Sequence, residues 1–311
     1  MIQCVCLNPV LQRTLTLERF TVNTVNRALG RPLEGSAGKG INAARALKTL
    51  GQQAIITGFC GGDTGKLIER TLEEEGLRHE FVRTVNKTRI CTTILDTSHN
   101  TQTEIVEEGL PVSQAEVTAM AELYRKHLRS CRLVTISGTA PQHVPKTLYK
   151  DFVSQAAEQH VPTLIDTQKE LLRECLGVHP LLIKINREEL CAAFGERSGS
   201  EERFAALIQR VLKEGGQWVV VTDGPKPSIV AHQADMWEIF PPDIRAVNPI
   251  GAGDVALGGI AAALARGEDV LQAIQFGTAC GSASTLTMTP GVIRIDDVER
   301  LASEIQILRK I

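Results

Sequence analysis

The stretch NPIGAGDVALGGIAAALARG, residues 248–267, joins a glycine turn to a long run of small apolar residues, with one carboxylate, Asp254, at the junction. Aspartate at a helix start is ordinarily an N-cap or a first-turn acid. The preceding Gly251-Ala252-Gly253 turn, however, leaves backbone N–H groups unobstructed, and such a turn holds anions. A carboxylate beside an anion hole weakens phosphate binding unless it has a proton to take there. A base that accepts a hydroxyl proton while the amides hold a transferring phosphoryl group reconciles the two. The competing reading is a dinucleotide fingerprint, since the glycines match the start of GxGxxA. That fingerprint needs a preceding strand and an acid ending another strand about 20 residues on. Beyond Gly267 the chain reads EDVLQAIQFGTACGSASTL, a second helix, so the fingerprint is rejected.

A second glycine cluster, Ser36-Ala37-Gly38-Lys39-Gly40-Ile41-Asn42, opens a helix expected over 42–50. A lone lysine is usually a solvated charge, but one set between glycines at a helix start suits an anion ligand. GxxxxGK[ST] is absent because Gly40 follows Lys39, which excludes a Walker loop.

Working outward, apolar β-rich runs alternate with helical patterns. The strand candidates are 2–7, 54–59, 132–137, 163–167, 181–186 and 218–223. Most are near-continuous apolar runs, as in strands covered on both faces. Amphipathic stretches at 112–129 and 201–213 lie between them, the first opened by a Ser113/Glu116 capping box. Repeated βα units predict a doubly wound α/β sheet with helices on both faces. Residues 10–34 and 88–108 break the rhythm with polar–apolar alternation, and half-exposed antiparallel strands fit them. A small β-sheet lid over a site follows, built from about 10–37 and 88–108 within one domain spanning 1–311. The lid face bearing Val22, Val25, Ile94 and Leu95 suits either a homodimer contact or closure over substrate.

Composition sets the bounds. The chain has 311 residues, 43% hydrophobic and 23% charged, with a net charge of −2. That balance excludes a basic field for nucleic acid or an anionic membrane. No uncharged apolar run reaches the roughly 20 residues of a membrane span, and the first residues do not read as a signal peptide. Eight cysteines are scattered without a CxxC pair, several in strand-like runs where cysteine behaves as a small hydrophobe. The expectation is a reduced, cytoplasmic setting without structural zinc.

GKGINAARAL early and NPIGAGD late resemble the ribokinase-like, PfkB carbohydrate kinases, nearest to the sugar-phosphate kinases among them. Supporting matches are Asn8-Pro9, Gly58 with Gly61-Gly62-Asp63, Thr88-Arg89, Ser137-Gly138 with Pro141, and Asp166-Thr167. Lys184 with Asn186 and Glu189, and Thr222-Asp223-Gly224, continue the series. Any one piece is weak, but the ordered set covers nearly the whole length.

The resemblance implies an ATP- and Mg²⁺-dependent kinase of a ketohexose phosphate, fructose 1-phosphate or tagatose 6-phosphate, with Asp254 as base and Gly251, Ala252 and Gly253 as anion hole. Lys39, Arg89 and Arg27 would grip the sugar's phosphate, with Gln12, Gly38, Asn42 and Ser137 lining its pocket. Lys184, Asn186, Thr222 and Gly224 would face the nucleotide, and Glu189 would hold the metal through water. A dianion needs several cations, and arginine gives bidentate contacts. Departures from the family pattern fall mostly around the substrate. Gln12 stands for an aspartate, Ala37 for a glycine and Val255 for a small hydroxyl residue. Gln168-Lys169 replaces Ser-Gly, and TDGPKPS stiffens the nucleotide turn. A kinase of an unphosphorylated sugar or nucleoside, and a non-catalytic sugar-phosphate sensor, are the alternatives. Lys39 with Arg89 argues against the first, and the retained Asp254 against the second.

Overall fold

A computed structural model describes residues 1–196 and 201–310. The first part of the chain forms β1 (Ile2–Val5), β2 (Val10–Leu17), β3 (Leu33–Ala37), α1 (Lys39–Thr49), β4 (Ala54–Gly61), α2 (Gly62–Glu74), β5 (His79–Thr84), β6 (Ile90–Asp96) and β7 (Thr101–Val106). Regular βα alternation follows with α3 (Gln114–Leu128), β8 (Leu133–Ser137), α4 (Leu148–Glu158), β9 (Thr163–Asp166), α5 (Lys169–Leu176), β10 (Leu182–Asn186) and α6 (Arg187–Ala193). The last part holds α7 (Glu201–Lys213), β11 (Trp218–Asp223), β12 (Lys226–His232), β13 (Asp235–Phe240), α8 (Ala252–Arg266), α9 (Val270–Ser284), α10 (Ile295–Ala302) and β14 (Gln306–Lys310).

Ten strands make the main sheet in the order β14-β13-β12-β11-β10-β9-β8-β1-β4-β5. Pairing is parallel from β5 to β11 and antiparallel from β11 to β14. Alternate residues of β1 show why its run is apolar throughout. Cys4 belongs to the core that includes α1, α2, α8 and α9, whereas Val5 belongs to the core that includes α3 and α4. A strand buried on both faces needs hydrophobes at successive positions, so the doubly wound reading holds. The Ser113/Glu116 capping box is also formed, at the start of α3.

The small-residue run of residues 248–267 has a packing role. A methyl group at Gly258 would come 2.7 Å from Ala43 O on α1, and one at Gly277 of α9 would come 2.4 Å from Ile260 Cγ1 on α8. Only small side chains let α8 lie this close to both helices. That close approach carries the start of α8 against the start of α1.

Strands β3, β2, β6 and β7 form a separate four-stranded sheet. One expectation is corrected: β2 and β6 pair in parallel, and only the flanking pairs are antiparallel. The chain passes through β3, α1, β4, α2 and β5 between β2 and β6, so no tight hairpin joins them and both run the same way. The alternating lid face also divides. Val22 and Val25 are 74% and 79% exposed, but Ile94 is buried. Helix α1 begins at Lys39, three residues earlier than the pattern suggested. All eight cysteines are buried and free. Among the described residues, no helix is long and apolar enough to cross a membrane.

Candidate active site

Helix α8 starts from Gly251, whose φ of +77° lies in the left-handed region that glycine adopts without strain. Asn248 builds the turn before it: its Oδ1 accepts from Ile250 N at 3.0 Å. The turn presents Asp254, 8% exposed, in the first turn of α8. Asn42 Nδ2 donates to Asp254 Oδ2 at 2.8 Å. Arg45 fixes which way that amide points, because its Nη1 donates to Asn42 Oδ1 at 3.0 Å. Arg45 is itself held by Glu75 and by Ser36.

Burial, and next the negative charge of Asp166, push the Asp254 carboxyl up to about 6, against the opposing pull of Lys39, Asn42 and Lys184. A carboxylate with this pKa is mostly ionised at neutral pH and still accepts a proton readily, as a general base requires. Of the anion-hole amides, the Ala252 N–H turns back to Pro249 O at 3.3 Å.

Beside Asp254 lies a buried charge network centred on Asp166, at the end of β9. Lys184 donates to its Oδ2 at 2.6 Å and Lys39 to its Oδ1 at 2.7 Å. Lys39 also reaches Glu189 Oε1 at 3.1 Å. Burial alone would raise Asp166, but Lys184 and Lys39 outweigh it and bring the group down to about 2. Burial works against the Lys39 ammonium too, and Asp166 and Glu189 overcome it to hold the group protonated. Asn186 and Glu189 form a reciprocal capping box that fixes the start of α6. Lys184 points toward the start of α8, where a methyl group on Gly253 would come 2.9 Å from its Nζ.

A cavity of about 120 Å³ opens next to this network, lined by Cys6, Asn8, Gly38, Lys39, Arg89, Ser137, Gly138, Thr139, Thr167 and Gln168. Arg89 Nη2 donates to Asn8 O at 3.0 Å and Nη1 to Glu107 O at 3.2 Å. Its Nε and the Ser137 hydroxyl are buried without a hydrogen-bond partner among the described residues. Unpaired polar atoms of this kind, on residues that border a cavity, call for an explanation in the structure.

The structure thus gathers Asp254, Gly251, Gly253, Asn42, Lys184, Lys39 and Glu189 into one neighbourhood, and Gly38, Arg89 and Ser137 around the adjoining cavity. Thr222 lies across from Asn186 in the β10–β11 register, and Gly224 turns the chain after β11 at φ +59°. Two expected residues stand apart. Gln12 does not line the cavity; its Nε2 donates to Thr93 Oγ1 at 2.6 Å within the four-stranded sheet. Arg27 is exposed in the loop between β2 and β3. Asp166 went unassigned as a site residue, although its signal was present. An acid ending the apolar run TLID must be matched by buried cations.

A family model for pfkB family carbohydrate kinases matches residues 7–293. The chain is 27% identical over 311 residues to the tagatose-6-phosphate kinase of Staphylococcus epidermidis, covering 99% of each. A solved structure of a possible 1-phosphofructokinase from Thermotoga maritima is 26% identical with a TM-score of 0.90, covering 100% of both chains. Ribokinase from Arabidopsis thaliana, 20% identical over 97% of this chain and 98% of its own, shares the fold with a TM-score of 0.77. The chain belongs to the pfkB family of carbohydrate kinases, and it is a sugar kinase.

Proposed function

We propose that this kinase uses ATP to phosphorylate a ketohexose phosphate, fructose 1-phosphate or tagatose 6-phosphate, to the bisphosphate. The observation that carries the reading is the cavity beside the Asp166 network, which the two cations Lys39 and Arg89 both border together with Ser137 and Thr139. A phosphorylated polyol offers a dianion for the cations and hydroxyls for the polar side chains. The names of the similar proteins point to the same substrate class.

In this reading Asp254 takes the proton of the attacking hydroxyl, with Asn42 fixing the carboxylate and Arg45 fixing Asn42. The amides at the start of α8 face the transferring group, so catalysis rests on positioning and fixed dipoles. Lys184, Asn186, Thr222 and Gly224 line the nucleotide side at the C-terminal ends of the parallel strands, where open α/β sheets bind ligands. Gly224 leaves open space there, since an added methyl group meets nothing within 4 Å. The residues also fit Mg²⁺. Glu189 and Asp166 are hard oxygen donors that already share one cation, the Lys39 ammonium, and Mg²⁺ typically takes one or two carboxylates with phosphate oxygens and water. Bound there with the nucleotide, the ion would neutralise phosphate charge.

A coupled ADP-release assay with Mg·ATP over a panel of sugars and sugar phosphates tests the proposal. Turnover is expected with ketohexose phosphates. Greater kcat/KM for an unphosphorylated sugar or nucleoside overturns the substrate, and binding without any ADP formation makes the chain a sensor.

A further inference from the structure

Asp166 has two lysines, and the structure holds them differently. The Lys184 side chain is 4% exposed, and among the described residues its ammonium has this one ion pair, at 2.6 Å. The Lys39 side chain is 30% exposed, borders the cavity, and bridges Asp166 to Glu189. One lysine is a fixed counter-ion. The other spans two carboxylates from different elements and has open volume beside it.

We propose that Lys39 is an exchangeable counter-ion that couples the two substrates. Its ammonium closes the gap between Asp166 and Glu189 when no metal–nucleotide is present. Arrival of the metal–nucleotide at those carboxylates then releases it toward the cavity, where it meets the sugar's phosphate. The inference rests on the sugar-phosphate kinase reading above.

Charge makes the exchange reasonable. Lys39 and a divalent cation compete for the same Asp166 and Glu189 oxygens. A divalent cation seated on those oxygens holds them more strongly than one ammonium does and repels Lys39, the more exposed of the two lysines, at close range. Asp166 is not stranded when Lys39 departs, because Lys184 stays on its other oxygen. The liberated ammonium then joins Arg89 at the cavity wall, supplying the second cation a phosphate dianion needs. Each substrate therefore prepares the site of the other, and thermodynamic linkage makes the effect reciprocal.

Two measurements on the full chain test this, with wild type, Lys39→Met and Lys39→Arg. Circular dichroism and a cooperative melt check that each variant is folded. Calorimetry gives the Kd of tagatose 6-phosphate and fructose 1-phosphate with and without Mg·AMP-PNP. Electron paramagnetic resonance gives the Kd of Mn²⁺ without nucleotide. Wild type should bind its sugar phosphate about 5- to 150-fold more tightly when Mg·AMP-PNP is present, the usual range of such coupling. Lys39→Met should bind it weakly and equally in both conditions, and should bind Mn²⁺ more tightly than wild type because nothing competes for the carboxylates. Lys39→Arg should recover part of the coupling.

Coupling that survives in Lys39→Met, or is absent in wild type, overturns the proposal. The wild-type measurement stands even if Lys39→Met does not fold. If wild type binds no sugar phosphate at all, the functional reading has failed, and the Mn²⁺ titration then decides alone. Unchanged or weaker Mn²⁺ binding in Lys39→Met removes the exchange.

Discussion

Asp166 and Asp254 are two buried carboxylates in one charge network, and they titrate in opposite directions. Asp166 touches two ammonium groups and is held down to about 2, while Asp254 touches an amide and is pushed up to about 6. Burial acts upward on both. The difference comes from the direct partners, and Asp166 enlarges it, because its charge is itself a cause of the rise at Asp254. The fold thus separates a permanent anion, which organises lysines, from an acceptor suited to receiving a proton.

Removing the acceptor should have the largest effect. Asp254→Asn is expected to lower kcat by roughly 10²- to 10⁴-fold, the usual worth of a positioned base. Affinity for a non-hydrolysable ATP analogue should stay near that of wild type, since the change removes negative charge near the phosphates. The stability effect has the opposite sign. A carboxyl whose folded pKa is raised contributes stability that is lost as pH rises through about 6. Asp254→Asn should therefore melt higher than wild type above pH 6, with the gain fading as pH falls toward 4. A variant that keeps most of its kcat would return Asp254 to a helix-cap role.

Removing the permanent anion sharpens the contrast. Asp166→Asn leaves the Lys184 ammonium buried without its ion pair, and breaking a buried pair this way costs about 3–5 kcal/mol. The folded pKa of Asp166 is depressed, so its contribution is present above the ordinary carboxylate range and lost as pH falls through about 2. Chemical denaturation at pH 7 should show the full loss and acid conditions a smaller one. The acid limb of kcat/KM should also move to lower pH, since Asp254 no longer faces a negative neighbour. An unmoved limb would show that Asp166 does not act on the base.

Asn42 tests the acceptor from its other side. Its N–H stabilises the charged form of Asp254, so Asn42→Ala should raise the carboxyl further and move the acid limb of kcat/KM up by about one pH unit, the scale of a hydrogen bond to a charged group. Arg45→Gln should move it in the same direction by less, because Arg45 acts only by aiming the Asn42 amide. Identical pH profiles for all three proteins would detach Asn42 from the base.

These two carboxylates also mark how far the sequence could be read. Asp254 was legible because its neighbours are unusual: glycines before it and small residues after it make both a turn and a close helix approach. Asp166 was not assigned a role, because a lone acid ending an apolar strand names no partner, and both of its lysines are distant in sequence. Six parallel strands were visible as continuous apolar runs. β5 and the β12–β14 extension were not singled out, since half-buried strands with charged residues, such as DMWEIF and QILRK, carry no uninterrupted apolar signal. The parallel β2–β6 pairing was beyond reach because periodicity gives the faces of a strand and not its direction.

The smallest expected effect lies at Gln12, where the four-stranded sheet meets the question of substrate. The family resemblance places an aspartate there, and an amide in its place would turn an N–H toward a sugar hydroxyl that needs an acceptor. The structure softens that conflict, because one of the two Gln12 N–H donors is already taken by Thr93 Oγ1 at 2.6 Å. The acceptor Oε1 and the second N–H remain, so the mispairing shrinks toward the low end of the 1–3 kcal/mol cost of a buried polar mismatch. Gln12→Asp should accordingly raise kcat/KM for fructose 1-phosphate or tagatose 6-phosphate by only about 5-fold, the equivalent of roughly 1 kcal/mol. The Thr93 hydroxyl can rotate to donate to the new carboxylate, so the sheet should keep its stability, and the KM for ATP should not change. Thr93→Val frees that Gln12 N–H, so in that background the same substitution should have a larger effect. Equal kcat/KM for wild type and Gln12→Asp in both backgrounds would place Gln12 outside substrate recognition and leave the choice of sugar to the residues that line the cavity.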